Sequence, residues 1–395
     1  MHTKTRLVAI LIMALVLLIG VLAPTVTAAP HAQGGTLRIG YLGPADSAMA
    51  QGAQLAIDQI NSAGGFTAAD GNTYQLTLGT LTVHSTAETL AQDVTALTAQ
   101  NVIALLGPDT NAPLNAQTLQ ALAGTGLPVL TGATADLLTD DDPADQLFRV
   151  RAPERVYSFA LASYLVGDLG LSSFVLVQTN IAATEALLDF ESALSSAGIS
   201  VAGKVQLADS SALATQSQAV VGLNPEAVVI WGPPADAALL LQLLRESNWQ
   251  GVFAMPDVDE AARSGAMPAA LIDGVIGVST WSYAYPSESA RIFLEDYLVT
   301  FGEIPGPLAA AGYDVIWYLR ATMINVGIDP AAIREGLITG AARPLVGGTL
   351  RPADFGNGDL IRMAMVYELQ AGGGPNVVAL FNDTQRLEIE DAGNQ

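Results

Sequence analysis

The sequence contains no cysteine, and this absence excludes several classes of protein. A chain without thiols has no disulfide framework, no thiolate nucleophile and no attachment point for the lipid of a bacterial lipoprotein. Histidine is nearly as scarce, since only His31 and His84 occur beyond residue 29. Zinc sites need clusters of Cys or His ligands, so we expect neither a metal site nor a metal cofactor.

The motifs of nucleophilic and nucleotide chemistry are missing as well. A Ser-His-Asp triad would have to use His84, which stands in the loop-like stretch TVHSTAE, and no GxSxG elbow presents a serine to it. Neither GxxxxGK[ST] nor a GxGxxG that opens a helix occurs, so the sequence indicates no nucleotide cofactor. We therefore expect a protein that is not an enzyme.

Positive charge is the third scarcity. The chain has 16 Lys and Arg against 38 Asp and Glu, and Lys204 is the only lysine beyond Lys4. A surface of this kind repels phosphate backbones, so we expect no nucleic-acid partner. The acidity fits a general solubility or salt-tolerance bias better than a dedicated cation site.

The first 29 residues have a composition of their own. Basic Lys4 and Arg6 precede an uncharged run over residues 7–23, and PTVTAAP then offers small residues for cleavage after Ala28 or Ala29. This order predicts a secretory signal peptide over residues 1–29 and an exported protein at the periplasmic or extracellular face of the membrane. The alternative is an uncleaved anchor, because the run approaches the roughly 20 residues that span a bilayer.

Beyond residue 35, apolar strands alternate with amphipathic helices of about a dozen residues. TLRIGYLG predicts a strand, Ser47 is a candidate N-cap, and apolar side chains then recur at helical spacing over residues 49–60. The alternation of strands and helices occurs in both halves of the chain, before and after an acidic segment at 140–154. Such alternation is typical of α/β folds with parallel, doubly wound sheets, and 395 residues suffice for two cores. We predict two doubly wound, mainly parallel-sheet lobes.

Ligands of open parallel sheets bind beyond the carboxyl ends of the strands. Two facing lobes would therefore enclose a cleft. One strand-to-helix junction, GPDTNAP, concentrates polar side chains at such a strand end. Asp109, Thr110 and Asn111 either cap the following helix or hold a ligand, and the junction alone favours capping.

Four blocks of the chain resemble, in order and spacing, the type I periplasmic binding proteins of ABC importers, specifically the branched-chain amino-acid receptors. The resemblance covers residues 36–367 and rests on the order and spacing of the blocks together. It implies a monomeric solute receptor that closes on a small-molecule ligand about a hinge and serves an ABC permease. It also implies three hinge crossings, near residues 149–152, 277–281 and 344–348. Lobe one would comprise 36–150 with 281–344, lobe two 151–280 with 345–385, and a C-terminal tail 386–395. The blocks are LRIGYLGPADSAMAQGAQLAIDQINSAGG, VIALLGPDTNAPLNAQTLQALAGTGLPVLTGAT, PEAVVIWGPPADAALLLQLLRESNWQGVFAMPD and AAAGYDVIWYL.

The same resemblance assigns residues to the site. Thr110, Asn111, Ala133 and Thr134 hold the positions at which the family binds an amino-acid carboxylate with hydroxyl and backbone N–H groups beside a helix start. Asp257, in AMPD, holds the position of the acidic residue that receives the ligand ammonium. The competing interpretation of Asp257 is a solvated carboxylate in an acidic loop.

Some family aromatic residues are missing. Ala183 stands where the family commonly has a tyrosine, and Pro233 and Pro234 replace another. STWSYAYPS could supply replacement rings from Trp281, Tyr283 and Tyr285, or these rings could simply pack at a crossover. The departures leave a second hypothesis open, a sensory or scaffolding protein of the same fold with an altered or silent cleft.

Overall fold

The computed structural model describes residues 33–179, 184–208, 210–341, 343–350, 358–361, 363–372, 374–382 and 384–389. The predicted signal peptide, its anchor alternative and Ala183 lie outside these residues. Within them, no helix is long and apolar enough to cross a membrane.

Sixteen strands are present in the described residues. They are β1 (Gln33–Pro44), β2 (Phe66–Thr67), β3 (Thr73–Leu81), β4 (Val102–Leu106), β5 (Val129–Thr131), β6 (Leu147–Arg149), β7 (Phe174–Gln178), β8 (Gly203–Gln206), β9 (Ala227–Trp231), β10 (Val252–Pro256), β11 (Ile276–Ser279), β12 (Arg343–Leu345), β13 (Gly348–Leu350), β14 (Met363–Gln370), β15 (Gly374–Asn382) and β16 (Arg386–Leu387). Five of them, β5, β6, β7, β9 and β11, are buried at every position.

Eleven α-helices connect or cover these strands in the described residues. They are α1 (Ala48–Ser62), α2 (Leu90–Thr98), α3 (Ala116–Ala123), α4 (Glu154–Ser163), α5 (Thr184–Ser196), α6 (Leu213–Gly222), α7 (Pro234–Glu246), α8 (Val258–Arg263), α9 (Glu288–Phe301), α10 (Pro307–Val326) and α11 (Pro330–Thr339).

The strands form two large sheets, which confirms the predicted α/β fold of two doubly wound lobes. The first has the order β2-β3-β1-β4-β5-β6, and its strands are parallel apart from β2. The second has the order β16-β15-β14-β11-β10-β9-β7-β8, with β7 to β11 parallel and the last three strands antiparallel. Buried aliphatic runs such as Ala227–Trp231 have helices on both faces, as parallel sheets require.

The chain passes between the two sheets at three places. Arg149 ends β6 in the first sheet, and α4 then packs against α5 and β14 of the second. After β11, α9 and α10 return to pack against α1 of the first lobe. The last passage runs through the β12–β13 hairpin to Asp359, which forms an isolated bridge with Arg149 before β14 begins.

Hydrogen bonds tie these passages together. The backbone N–H of Ala152 donates to Thr280 Oγ1 at 3.0 Å, and the Tyr157 hydroxyl lies 2.6 Å from the same oxygen. The N–H of Leu360 donates to the carbonyl oxygen of Arg149 at 3.1 Å. The three chain segments that pass between the lobes are therefore hydrogen-bonded to one another.

At the far edge of the second sheet, β8 carries the single lysine beyond Lys4. Lys204 Nζ donates to Glu191 Oε2 at 2.7 Å, and both side chains are largely accessible to solvent. A charged side chain on an edge strand discourages pairing with another chain.

Candidate functional site

A cavity of about 400 Å³ lies where the two lobes meet, at the carboxyl ends of the central strands. Thr134 enters it from the loop after β5 of the first sheet. Trp231 and Pro256 enter it as the last residues of β9 and β10 in the second. The full lining is Thr134, Glu154, Tyr157, Trp231, Gly232, Pro234, Met255, Pro256, Asp257, Glu260, Ala261 and Ser264. This is where open parallel sheets bind ligands.

A second hollow, of about 550 Å³, lies on the second lobe between α4 and α5. Its lining comes from helix faces, and no strand end contributes to it among the described residues. It therefore lacks the convergent loops and helix starts that the interlobe cavity has.

Asp257 occupies an unusual backbone position at the cavity wall. Its φ of 50° is left-handed, and it takes the N-cap position of α8 without its side chain capping that helix. The carboxylate instead accepts a hydrogen bond from Ser279 Oγ at 2.6 Å and one from Arg151 Nη2 at 2.5 Å. The Asp257 side chain is 29% exposed, so a ligand in the cavity can contact it.

Arg151 lies at the first passage between the sheets and is almost fully buried. Its Nη2 also donates to the Tyr157 hydroxyl at 3.2 Å, whereas its buried Nε has no partner among the described residues. Burial lowers the pKa of Arg151, but the carboxylate of Asp257 and the neighbouring hydroxyl outweigh burial, and the pKa is raised overall. The guanidinium is therefore a fixed positive charge behind the cavity wall, against Asp257 and Tyr157.

Thr134 and Asn111 are joined on the first lobe. Asn111 Oδ1 accepts the backbone N–H groups of Thr134 at 2.7 Å and Ala135 at 2.9 Å. The Thr134 hydroxyl and Asn111 Nδ2 both donate to Glu154 Oε1, at 3.0 and 3.1 Å. Asn111 thus fastens the loop after β4 to the loop after β5, and Thr134 keeps its place on the cavity wall.

The other two predicted residues of this lobe lie differently. Ala133 is buried, and its N–H donates to Thr131 Oγ1 at 3.1 Å. Thr110 is exposed on the loop after β4. Of the five predicted site residues, the structure brings Thr134 and Asp257 to one cavity, while Thr110, Asn111 and Ala133 stand behind or beside its wall.

The junction GPDTNAP does not cap the helix that follows it. Helix α3 begins at Ala116, and its N-cap is Asn115, which exchanges hydrogen bonds with Thr118 in a capping box. Asp109 is instead buried, where its Oδ2 accepts a hydrogen bond from the Tyr41 hydroxyl at 2.6 Å. Burial raises the pKa of the Asp109 carboxyl.

Sequence reasoning missed several cavity residues. Tyr157 and Trp231 supply aromatic surface, and Glu154 and Glu260 add carboxylates. Burial, followed by the charge of Asp257, raises the pKa of Glu260. Trp231 could have been found as the residue that ends the strand AVVIW, whereas Tyr157 belongs to a helix whose contacts depend on the passage between lobes.

The three aromatic residues of STWSYAYPS do not take the place of the missing family tyrosines. Trp281 and Tyr285 are buried in a core shared with Phe293 and Leu55. The Tyr283 ring lies against the guanidinium of Arg263 at 5.7 Å. Their role is packing at the second passage.

Two α/β lobes with a cavity between them and three connecting passages define a bilobal ligand-binding protein. The chain belongs to the periplasmic binding protein family, whose sequence model matches residues 37–374. Membership of this family implies a small-molecule ligand and export to the periplasm.

Solved structures share the fold at low identity. The isoleucine complex of the branched-chain amino-acid binding protein LivJ from Streptococcus pneumoniae is 22% identical, covers 87% of this chain and 99% of its own, and has a TM-score of 0.74. The closed leucine-, isoleucine-, valine-, threonine- and alanine-binding protein from Brucella ovis is 18% identical, covering 89% and 97%, with a TM-score of 0.76.

A third structure, a solute-binding protein from Rhodopseudomonas palustris, contains 3,4-dihydroxybenzoic acid. It is 16% identical, covers 89% of this chain and 98% of its own, and has a TM-score of 0.71. A comparison with curated proteins found no match. The fold is thus shared by receptors of amino acids and of aromatic acids.

Proposed function

We propose that this protein binds an amino acid or a related small polar ligand in the interlobe cavity and delivers it to an ABC permease. The observation that carries the proposal is that Thr134 of the first lobe and Asp257 of the second line one cavity of about 400 Å³. That volume suits a ligand of amino-acid size, since small-molecule sites begin at roughly 300 Å³.

The ligand would be held by residues of both lobes. Asp257 offers a carboxylate to an ammonium group, and Thr134 offers its hydroxyl from the opposite wall. Thr110, Asn111 and Ala133 would support that wall, with Asn111 fixing the backbone of Thr134. Trp231 and Tyr157 add apolar surface for the remainder of the ligand.

Closure would be a hinge motion about the three passages. We propose the division into lobe one, residues 36–150 with 281–344, and lobe two, residues 151–280 with 345–385. A ligand that contacts both lobes binds the closed form better than the open form and so shifts the equilibrium toward closure. The signal peptide would direct export of the protein as a monomer. The closed form would be the one that the permease recognises.

A thermal-shift screen of amino acids, amides and small carboxylates tests this function. We expect at least one amino acid to raise the Tm, since a ligand at about 100 times its Kd stabilises the folded state by roughly 2.7 kcal/mol. Asp257→Asn should weaken that amino acid about tenfold or more while a neutral ligand is spared. Glu295→Gln, in an exposed pair on α9, is the matched control and should change nothing.

One observation favours the second hypothesis, a sensory or scaffolding protein with a silent cleft. The polar groups of the cavity are largely paired with one another, Thr134 with Glu154 and Asp257 with Arg151. Because these polar groups are already hydrogen-bonded to one another, the cleft can be stable without a ligand. A screen in which no compound raises the Tm would support this hypothesis and refute the transport ligand.

A further inference from the structure

Helix α8 of the second lobe lies against a loop of the first lobe. Arg263, the last residue of α8, donates from Nη1 to the carbonyl oxygen of Ile304 at 2.8 Å. Ile304 lies between α9 and α10, which pack against α1 of the first lobe. We propose that Arg263 is a latch between the lobes: its bond to Ile304 forms when the cleft closes and breaks when the cleft opens. This inference rests on the hinge motion of the proposed function and goes beyond it by naming a residue that sets the balance of closed and open forms.

The contact between α8 and this loop extends beyond one hydrogen bond. A Cβ added to Gly306, the N-cap of α10, would lie 3.4 Å from Arg263 Nη2 and 3.4 Å from Glu260 Oε2. Glu260 also lines the interlobe cavity, as do Ala261 and Ser264. One short helix therefore borders the cavity and, with its last residue, contacts the opposite lobe.

Neither partner of the bond belongs to the segments that connect the lobes. Arg263 and Ile304 lie outside the passages near residues 149–152, 277–281 and 344–348. Contacts at a hinge are kept in both forms of a bilobal protein, whereas contacts between surfaces that the hinge brings together are made only in the closed form. The bond from Arg263 to Ile304 is of the second kind.

Both ends of the bond are held by their own lobes. Asp259 of α8 is buried, and its Oδ1 accepts a hydrogen bond from the Tyr367 hydroxyl of β14 at 2.9 Å, which attaches α8 to the second sheet. On the other side, a Cβ on Gly132 would lie 2.8 Å from Leu308 Cδ2, so the start of α10 packs against the loop after β5. Because each end is attached to a different sheet, the bond must break when the lobes separate.

The surroundings of the Arg263 guanidinium leave Nη1 to make the contact between the lobes. Asp259 Oδ2 lies 3.6 Å from Nη2, and the centre of the Tyr283 ring lies 5.7 Å from the guanidinium carbon. Nε and Nη2 are buried and have no hydrogen-bond partner among the described residues. A charged donor strengthens a hydrogen bond, and the acceptor is a backbone oxygen rather than a ligand atom. The bond therefore stabilises the closed form whether or not the cavity is occupied.

Small-angle X-ray scattering of the protein without added ligand tests this proposal, because the radius of gyration rises when the lobes separate. Arg263→Gln removes the charge and shortens the donor. The ratio of closed to open molecules should fall about tenfold, and the radius of gyration should exceed that of the wild type. Arg263→Lys keeps the charge and one donor group but not the planar fork, so an intermediate radius is expected.

Arg245→Gln is the matched control. Arg245 Nη1 also donates to backbone carbonyl oxygens, of Trp249 at 2.9 Å and Gly251 at 3.1 Å, and its guanidinium lies 5.0 Å from the Trp249 ring, all within the second lobe. Arg245→Gln should lower the free energy of urea unfolding without changing the radius of gyration. If Arg263→Gln behaves in the same way, Arg263 only packs and the proposal is overturned. If Arg263→Gln does not fold, a wild-type radius for Arg263→Lys overturns it.

The outcome does not depend on the identity of the ligand. A larger radius of gyration in Arg263→Gln supports the latch even if no amino acid raises the Tm, and the proposed transport ligand alone is then refuted. A rise in Tm with an amino acid, together with equal radii for the wild type and Arg263→Gln, supports the proposed function and refutes the latch.

Discussion

Asp314 is a carboxylate buried in the middle of helix α10, and among the described residues its hydrogen-bond partners are backbone N–H groups. Its two oxygens accept the backbone N–H groups of Val346 at 2.9 Å and Gly347 at 2.6 Å. These residues form the turn of the β12–β13 hairpin. One side chain therefore attaches the third passage of the chain to the first lobe.

We predict that Asp314 makes the protein less stable as the pH rises from 4 to 8. Burial raises the pKa of Asp314 from 3.8 to about 7, although the two N–H bonds lower it. The folded protein thus holds this proton where the unfolded chain has lost it. The stabilisation is complete below the unfolded pKa and is lost as the pH rises through about 7, a change of roughly 4 kcal/mol.

Urea unfolding at a series of pH values measures this effect as the difference between the wild type and Asp314→Asn, which cannot ionise. The difference should favour the wild type most at about pH 4, fall as the pH rises toward 7 and level off above it. Asp329→Asn is the matched control, because Asp329 also accepts two backbone N–H groups but at an exposed N-cap. A difference that is flat across the range for Asp314→Asn would contradict the prediction.

At the residue scale, the sequence located part of the site. Thr134 and Asp257 were predicted from the order of family-like blocks, and they do share a cavity. Arg151 lies in the segment that was interpreted as a boundary between lobes, and its importance depends on a contact with a residue 106 positions away. An ion pair between residues so far apart in the sequence produces no local pattern from which it could be predicted.

At the scale of elements, helices α1 and α10 pack closely in the first lobe. A Cβ on Gly52 would lie 1.9 Å from the carbonyl oxygen of Ala309, and one on Gly312 would lie 2.0 Å from that of Met49. The two helices meet backbone to backbone at these glycines. Gln51 and Gln59 add hydrogen bonds to Tyr297 and Tyr313 on the returning helices.

We predict that Gly312→Ala destabilises the protein by about 3 kcal/mol or more. The added methyl meets backbone atoms, which cannot turn aside as a side chain can, so α10 must move away from α1. Chemical denaturation measures the loss. Gly222→Ala, at the end of α6 with no atom near the new Cβ, should leave stability unchanged or raise it by up to about 1 kcal/mol. Equal effects of the two substitutions would refute the prediction.

The sequence predicted these elements well because their apolar spacing is regular. Helix stripes and buried strand runs depend on neighbours in the chain, and the helical spacing over residues 49–60 matches α1, Ala48–Ser62. The first residue of α3 is harder to predict from the sequence, since Asp109, Asn111 and Asn115 are all suitable N-cap residues. The choice of Asn115 depends on Asp109 being drawn into a hydrogen bond with Tyr41, a contact between two strands' ends.

At the scale of the whole molecule, a group of four charged side chains, of which Arg149 and Asp359 are fully buried, connects the passages between the lobes. Arg149 Nε lies 3.0 Å from Asp359 Oδ1, and both side chains have no exposed surface. Arg155 donates to the other oxygen of Asp359 at 2.6 Å and approaches Asp136 at 3.3 Å. Arg149 also donates to the carbonyl oxygen of Thr134 at 3.0 Å. The network therefore reaches from the connection to the cavity wall.

We predict that Asp359→Asn lowers the free energy of unfolding by about 3 kcal/mol, because it leaves two guanidinium groups with one carboxylate between them. Calorimetric or urea unfolding measures the change. Glu191→Gln, which breaks the exposed pair with Lys204, should cost less than about 1 kcal/mol. Similar losses in the two variants would show that the buried network contributes no more than a surface pair.

Lys204 has a practical consequence for observing the motion of the lobes. It is the only side-chain amine beyond Lys4, it lies on the second lobe, and the chain has no thiol. A cysteine introduced at Val299, which is 87% exposed on α9, would place one thiol on the first lobe. Once the α-amino group and Lys4 are blocked or removed, amine and thiol chemistry attach a donor and an acceptor dye separately, so that energy transfer within single molecules reports the opening and closing of the cleft.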